Sequence, residues 1–281
     1  MLWKTLIDNA TTEFESAGIA DPELNAELLA ASVLGLWKRN EVRDKFNVEV
    51  ADDEHSIFQS FVTRRLSNEP LQYITGETEF YGLRLYSSSE ALIPRPDTEI
   101  LVEEALKKAK STNRILDIGT GSGAIILALA SRLPEAHCVG IDISAEAISL
   151  AEKNRDRLQI PNVHFEVKNI FDDIGSLGSF DIIVSNPPYI SIEDFADLEI
   201  EVREFEPRVA LTDGDDGFMF YHRIIALADR VLRDDGYLLF ETGYSGARRV
   251  VQMMDEAGFR DIGIVKDLAG IERVVMGKLG L

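Results

Sequence analysis

Apolar residues recur along the chain in two rhythms, and the change between them divides it. Up to about residue 70 they fall three and four apart. In "DPELNAELLAASVLGL", Leu24, Leu28, Leu29 and Leu36 share one side of a predicted helix. Asp21 is the expected N-cap, Pro22 the first helical position, and Gly35 marks the end. "DDEHSIFQSFVTRRL" repeats the rhythm with Ile57, Phe58, Phe61, Val62 and Leu66. Residues 1–70 are therefore expected to form a small helical bundle. The pattern shifts over 71–93, "LQYITGETEFYGLRLYSSSEALI", where β-favouring residues surround Gly76 and Gly82 and predict a hairpin joining two domains. "PRPDTEILVEEALKKA" then opens the remainder, residues 94–281, with a helix entered through Asp97 or Thr98 and Glu99 in its first turn.

After Ser111 short apolar runs of strand length alternate with helical patterns. "RILDIG", "HCVGIDI", "VHFEVKN", "FDIIVSN" and "GYLLFET" predict buried strands, with helices such as "SAEAISLAEKNRDRL" and "FMFYHRIIALADRVL" between most of them. "FRDIGIVKD" and "RVVMGK" predict an antiparallel hairpin at the sheet edge. The expected fold is α/β: a doubly wound, mostly parallel seven-stranded sheet with helices on both faces. Such a sheet takes its ligand beyond the carboxyl ends of its strands.

Composition narrows the partners. With 281 residues, 45% of them hydrophobic and 28% charged, the chain can build a large core and a small one. A net charge of −20 argues against a free-standing binder of nucleic-acid phosphates. Cys138 is the single cysteine, and His55, His137, His164 and His222 are scattered without ligand spacing, so no metal is expected. The N-terminal stretch lacks a basic start followed by an apolar run, and "AIILALA" is too short to span a bilayer; a cytoplasmic location is expected. "DGDDG" at 213–217 has Ile224 where a calcium loop needs an acid, which leaves a turn before a helix. The acidic run "IEDFADLEIEVREFEP" reads either as a mobile lid or as a solvated helix face.

Two stretches carry chemistry. "DIGTGSG", residues 117–123, closes the first strand of the alternating region and opens a helix, and its glycines let the backbone turn sharply under a ligand. Its spacing is not that of the dinucleotide fingerprint, and no phosphate-binding G-x-x-x-x-G-K-[ST] exists. Asp142 ends the next strand, where a carboxylate can accept from both hydroxyls of a ribose. "DIGTGSG", "GIDIS" and the later "NPPY" together resemble the class I, Rossmann-like S-adenosylmethionine-dependent methyltransferases. The resemblance implies that Asp117 lies near the methionine ammonium and that Gly119, Thr120, Gly121, Ser122 and Gly123 line the cofactor. It further implies that Asp142 with Ile143 holds the ribose, that Asn169, Ile170 and Phe171 meet the adenine, and that Asn186 also borders the cofactor. Many relatives have Asp where Asn169 stands, so the N6 contact would fall to the amide oxygen.

"NPPY" ends the strand "FDIIV". An amide or exocyclic amino nitrogen is planar and a poor nucleophile, and it needs fixing in line with the methyl group. Asn186 can accept one N–H through its side-chain oxygen and the Pro187 carbonyl the other, with Pro187 and Pro188 stiffening that carbonyl and Tyr189 offering a flat face. The stretch thus reads as a clamp for an NH2 group beside the cofactor, with Asn186, Pro187 and Tyr189 as catalytic candidates. Adenine in DNA, adenine or guanine in RNA, and glutamine in a protein all suit it. "EPLQYITGETEFYGLRLYSSSEALIPRPDTEILVEEAL", "EFEPRVALTDGDDGFMFYHRII", "LLFETGYSGARRVVQMMDEAGF" and "KDLAGIERVV" decide between them, because with "NPPYI" they are similar to the peptide chain release factor glutamine N5-methyltransferases, the PrmC/HemK family, along essentially the whole chain. The resemblance implies methylation of the Gly-Gly-Gln glutamine of class I release factors, bound by Asn186, Pro187, Pro188 and Tyr189, with the N-terminal helices helping to dock that protein. Arg95 is a further substrate or cofactor candidate, with pairing to Asp97 or Glu99 as its other reading, and Phe80 is a candidate pocket wall. The rival reading is an N6-adenine methyltransferase acting on DNA or RNA, and a third is an adaptor that binds partners without catalysis.

Overall fold

The computed structural model describes residues 1–280. The chain forms two compact units. The first holds Met1–Glu77 together with Glu199–Phe205; the second holds Thr78–Leu198 and the residues from Glu206 onward.

The first unit is built from α1 (Trp3–Ser16), α2 (Pro22–Val33), α3 (Arg39–Arg43), α4 (Asp52–Leu66) and α5 (Leu71–Thr75). The three-and-four rhythm becomes its core: Leu6, Ile7, Ala10 and Phe14 of α1 meet Leu29 and Ala30 of α2 and Phe58 and Val62 of α4. Trp3 is fully buried and meets the Phe58 ring edge-on, 5.7 Å between centroids. Pro22 opens α2 as expected, but Asp21 does not cap it. Asp21 sits in the left-handed region at φ 47° and makes no side-chain cap bond; Asn25 instead donates to the Ala20 and Asp21 carbonyls. Of the acidic run after the "NPPY" segment, Glu199–Phe205 belongs to this unit, where Arg65 pairs with Glu201 at 2.8 Å. The run is not one helix face, since it breaks into the short α9 (Ile192–Phe195) and α10 (Ile200–Phe205) before α11 (Arg208–Leu211).

The predicted hairpin is narrower than the stretch assigned to it. Residues 71–75 are helical, and only β1 (Glu77–Phe80) and β2 (Leu83–Tyr86) pair. Tyr81 and Gly82 both have positive φ, the two-residue turn that suits the right-handed strand twist.

The second unit carries a seven-stranded sheet of β3 (Arg114–Ile118), β4 (His137–Asp142), β5 (Val163–Val167), β6 (Phe180–Ser185), β7 (Leu232–Glu241), β8 (Arg260–Lys266) and β9 (Glu272–Lys278). Its order is β5-β4-β3-β6-β7-β9-β8. The first five strands are parallel; β9 runs antiparallel to both β7 and β8, so the last hairpin is threaded inward and β8 forms the edge. Side chains alternate between two cores, as period two requires. Ile115, Ile182, Val184, Leu239 and Val274 pack with α6 (Glu99–Lys108), α7 (Ala124–Arg132) and α8 (Ala145–Leu158) on one face. Leu116, Ile183, Leu238, Phe240 and Val275 pack with α12 (Met219–Val231) and α13 (Ala247–Glu256) on the other. Strand order reverses between β3 and β6, and the crevice at that reversal lies beyond their carboxyl ends. No helix among the described residues is long and apolar enough to cross a membrane.

Candidate active site

A cavity of about 360 Å³ opens at that crevice, within the second unit. Ile118 and Gly119 at the end of β3, Asp142 and Ile143 at the end of β4, and Asn186 to Pro188 after β6 bring three strand ends to its wall. Asn169, Ile170, Phe171 and Phe220 enclose it further, the two aromatic rings edge-on at 5.9 Å. Its size falls within the range of small-molecule sites.

The glycine turn works as its residue types demand. Gly119 and Gly121 adopt φ of +74° and +53°, and a Cβ on Gly119 would stand in open space where the cavity now is. The Gly119 and Thr120 amides donate to the Ile141 carbonyl, tying this turn to the end of β4. Asp142 then receives the Gly121 amide on Oδ2 at 2.9 Å and the Ser144 amide on Oδ1 at 3.0 Å. These bonds orient its carboxylate and favour the ion, while burial pushes its pKa upward. Behind the wall, Asp117 is fully buried and accepts the Thr120 hydroxyl on Oδ2 at 2.7 Å. Its Oδ1 has no hydrogen-bond partner. Burial raises its pKa to about 7, with the Asp142 charge adding to the rise and the Thr120 hydroxyl and Ile126 amide opposing it. An orphaned buried carboxylate oxygen calls for a cationic donor.

Of the other residues expected to line the cofactor, Gly119, Gly121, Asp142, Ile143, Asn169, Ile170, Phe171 and Asn186 are on the cavity wall. Thr120, Ser122 and Gly123 lie behind it and shape the turn. Sequence reasoning did not reach Asn154, a fully buried side chain of α8 that donates to the carbonyls of Ser122 and Tyr86 and accepts the Tyr86 amide at 2.6 Å. It pins the turn to β2. The Asn169 amide oxygen already accepts the Phe171 N–H at 3.0 Å, a local turn that presents the residues after β5 to the cavity.

The "NPPY" segment splits. Asn186, Pro187 and Pro188 line the cavity, and Tyr189 stands beside it. The half-buried Tyr189 donates its hydroxyl to Glu241 Oε1 at 3.3 Å, and its ring rests on Gly243, where a Cβ would come within 2.9 Å of Cδ2. Asn186 donates through Nδ2 to the Thr98 hydroxyl at 3.4 Å. That bond turns the amide so that Oδ1 is the end left for the cavity. Arg95 pairs neither with Asp97 nor with Glu99. Its partner is Glu206, which also accepts the Ile93 amide at 3.1 Å, and Arg95 does not line the cavity. Phe80 lies in the core of the second unit, 1% exposed, rather than on the cavity wall; its place in β1 directs it inward. Asp213 accepts the amides of Asp215, Gly217 and Met219, the turn before α12. No group of three or more potential metal ligands occurs among the described residues.

A doubly wound sheet of this order, with a glycine turn, a carboxylate ending β4 and a cavity at the strand reversal, has the architecture of the Rossmann-like methyltransferases. Residues 109–261 match the family described as "Methyltransferase domain", and residues 5–76 that described as "PrmC N-terminal domain". A methyltransferase from Pyrococcus furiosus shares the fold, with a TM-score of 0.54, 15% identity, and coverage of 79% of this chain and 98% of that one. The release factor glutamine methyltransferase of Geobacter sulfurreducens is 42% identical over 263 residues, 94% of this chain and 92% of its own. That of Fusobacterium nucleatum is 41% identical over 276 residues, 97% and 78%, and that of Koribacter versatilis 37% identical over 281 residues, 99% of each. The chain belongs to the release factor glutamine methyltransferase family.

Proposed function

We propose that this chain transfers a methyl group from S-adenosylmethionine to the side-chain amide nitrogen of the glutamine in the Gly-Gly-Gln tip of class I release factors. The observation that carries the reading is the Asn186 amide, held back through Nδ2 with its oxygen left for a cavity that it shares with Asp142 and the glycine turn. The names of the relatives support the substrate.

The donor set fits the cofactor. Asp117 Oδ1 lacks a partner and suits an ammonium, and Asp142 keeps acceptor capacity for two hydroxyls beyond its backbone donors. Gly119 leaves room beside them. Asn169, Ile170 and Phe171 suit the adenine. When bound, S-adenosylmethionine supplies an electrophilic methyl on a sulfonium. The chain's own part is positional: Asn186 Oδ1 and the Pro187 carbonyl accept the two N–H groups of the substrate amide and aim its nitrogen, while the paired prolines keep that carbonyl from yielding. Acceptors on both protons also stabilise the positive charge that develops on nitrogen, and the surplus proton leaves after the N–C bond has formed. Neither a metal nor a titrating base is needed for that step.

The helical unit, residues 1–70 as the sequence divides the chain, is proposed to dock the release factor, and a cytoplasmic location suits a substrate of the translation machinery. A net charge of −20 suits a basic protein tip better than a phosphate backbone. The test is incubation with methyl-labelled S-adenosylmethionine and either a release factor or DNA. Label on the Gly-Gly-Gln glutamine is the expected result. Label on DNA alone would overturn the reading, and tight release factor binding without label would favour an adaptor.

A further inference from the structure

We infer that Glu241, acting through Thr98, is a positioning residue that decides which end of the Asn186 side-chain amide faces the substrate. The inference rests on the clamp reading above. Glu241 ends β7 and is 2% exposed; Thr98, at the entry to α6, is 4% exposed. No hydrogen bond of full geometry joins Thr98 to Glu241, but the two side chains are close enough for the Thr98 hydroxyl to favour the ionised carboxylate. On its other side the same oxygen meets Asn186 Nδ2. Tyr189 donates to Glu241 Oε1, Tyr221 of α12 donates to the Glu241 carbonyl at 2.8 Å, and Oε2 has no partner at full hydrogen-bond geometry.

A hydroxyl has one proton to give. Facing an ionised Glu241, Thr98 points that proton at the carboxylate and offers Asn186 only lone pairs. The amide must then present Nδ2 to Thr98 and Oδ1 to the cavity, the orientation that accepts a substrate N–H. A protonated Glu241 reverses the relay: it donates to Thr98, Thr98 donates to Asn186 Oδ1, and the amide turns its NH2 toward the substrate's NH2. Donor then faces donor and the clamp fails.

The charge on Glu241 is not spent in an ion pair. Arg273 of β9 is the nearby cation, yet its guanidinium is committed to Asp97 at 2.8 Å and Asp267 at 3.0 Å. The Tyr189 hydroxyl, not a guanidinium, therefore bonds this carboxylate, with the Thr98 hydroxyl close by. Its surroundings place the switch near neutrality: burial raises the pKa to about 7, the Asp97 charge adds to the rise, and Thr98, Arg273 and Tyr189 oppose it. Tyr189 and Tyr221 stay neutral, since burial and the neighbouring carboxylate raise both.

The test has one readout without substrate and one with it. In the full chain, the nitrogen-15 signal of the Asn186 side-chain amide, assigned by its loss in Asn186→Asp, is expected to titrate with a midpoint near 7. It is expected not to do so in Glu241→Gln or Thr98→Val. With release factor, kcat is expected to fall on the acid side of the same midpoint. Glu241→Gln should lower kcat roughly tenfold or more and flatten that limb, while KM and cofactor affinity hold within about twofold. Thr98→Val should match it, Thr98→Ser should restore the wild-type profile, and the double variant should be no worse than either single one. An Asn186 amide that does not titrate, a Thr98→Val enzyme at the wild-type rate, or additive losses would each overturn the inference. Should Glu241→Gln fail to fold, the two Thr98 variants decide the matter by themselves. A titrating amide in a protein that leaves release factors unlabelled would count against the substrate alone.

Discussion

Each wall of the cavity hides a buried carboxyl raised to about 7, and the two are served differently. Asp117, behind the glycine turn, has one oxygen on Thr120 and the other without a hydrogen bond of full geometry. Glu241, behind the "NPPY" wall, is surrounded by Tyr189 and Thr98 and reaches the cavity only through Asn186. Each leaves one oxygen without a hydrogen bond, Asp117 Oδ1 and Glu241 Oε2, and on the proposed reading the first suits the cation of the cofactor. The second has the Tyr189 hydroxyl on Oε1 and no cation paired with it, and is the one inferred to orient another side chain. A raised carboxyl is thus not one kind of signal: its partners decide whether it binds a ligand or disciplines a neighbour.

The largest effect that could break this contrast is expected at Asn186. Asn186→Ala removes an acceptor whose value grows as charge develops on the substrate nitrogen, and kcat should fall about 10²- to 10³-fold. Cofactor affinity, measured by calorimetry, should stay nearly unchanged, because the Asp117 and Asp142 side of the cavity is untouched. An equal loss of both would merge the two walls into one.

Asp117→Asn is the complementary change and should give the complementary result. A hydrogen bond to a charged partner is worth about 1.5–3 kcal/mol, so cofactor affinity should drop roughly 10- to 150-fold. The ligand-free protein should become more stable at pH about 8, because the folded state no longer buries an ion. At pH about 4 the two proteins should melt alike. A variant that loses stability at alkaline pH would mean that Asp117 holds the turn rather than the ligand.

The two walls also differ in how far the sequence reveals them. The cofactor side is written in contiguous stretches, "DIGTGSG" and "GIDIS", because glycine turns and strand-end carboxylates need neighbours close in the chain. The seven strands were legible for a similar reason, since each is a short apolar run with turn residues around it. The clamp side draws on Thr98, Asn186, Glu241 and Gly243, which lie on separate elements and meet only when β6 and β7 pair and α6 packs on them. Asn186 stood out by its prolines. Glu241 did not, because a glutamate at the end of "LLFE" looks like any solvated strand end until its burial is known. Arg95 and Asp21 show the same limit: nearby acids and cap preference suggested local roles, whereas Arg95 found Glu206, 111 residues on, and Asp21 took a left-handed backbone.

Gly243 sharpens the clamp side. In Gly243→Ala the new Cβ would press on the Tyr189 ring at 2.9 and 3.2 Å, and the ring must shift. Because the Tyr189 hydroxyl bonds Glu241 at 3.3 Å, the shift should loosen the relay and lower kcat about three- to tenfold. KM for the release factor and cofactor affinity should hold. A rise in KM alone would put the Tyr189 ring against the substrate instead.

The smallest effect is a fraction of a proton. Asp117 has an ordinary value of 3.8 and a folded value of about 7, so the folded state favours its neutral form. Its contribution to stability is complete below pH about 4 and is lost as pH rises through about 7. On the proposed reading, cofactor binding would place a cation beside Oδ1, favour the ion and expel the proton that remained. Calorimetry in buffers of different ionisation enthalpy should therefore show proton release on cofactor binding, largest near pH about 6 and fading above about 8. Affinity should rise with pH over the same window. Asp117→Asn should abolish the release and Glu241→Gln should leave it in place, because Glu241 faces Thr98 and Asn186 rather than the ammonium. If release survived Asp117→Asn and vanished in Glu241→Gln, the roles of the two buried carboxyls would have to be exchanged.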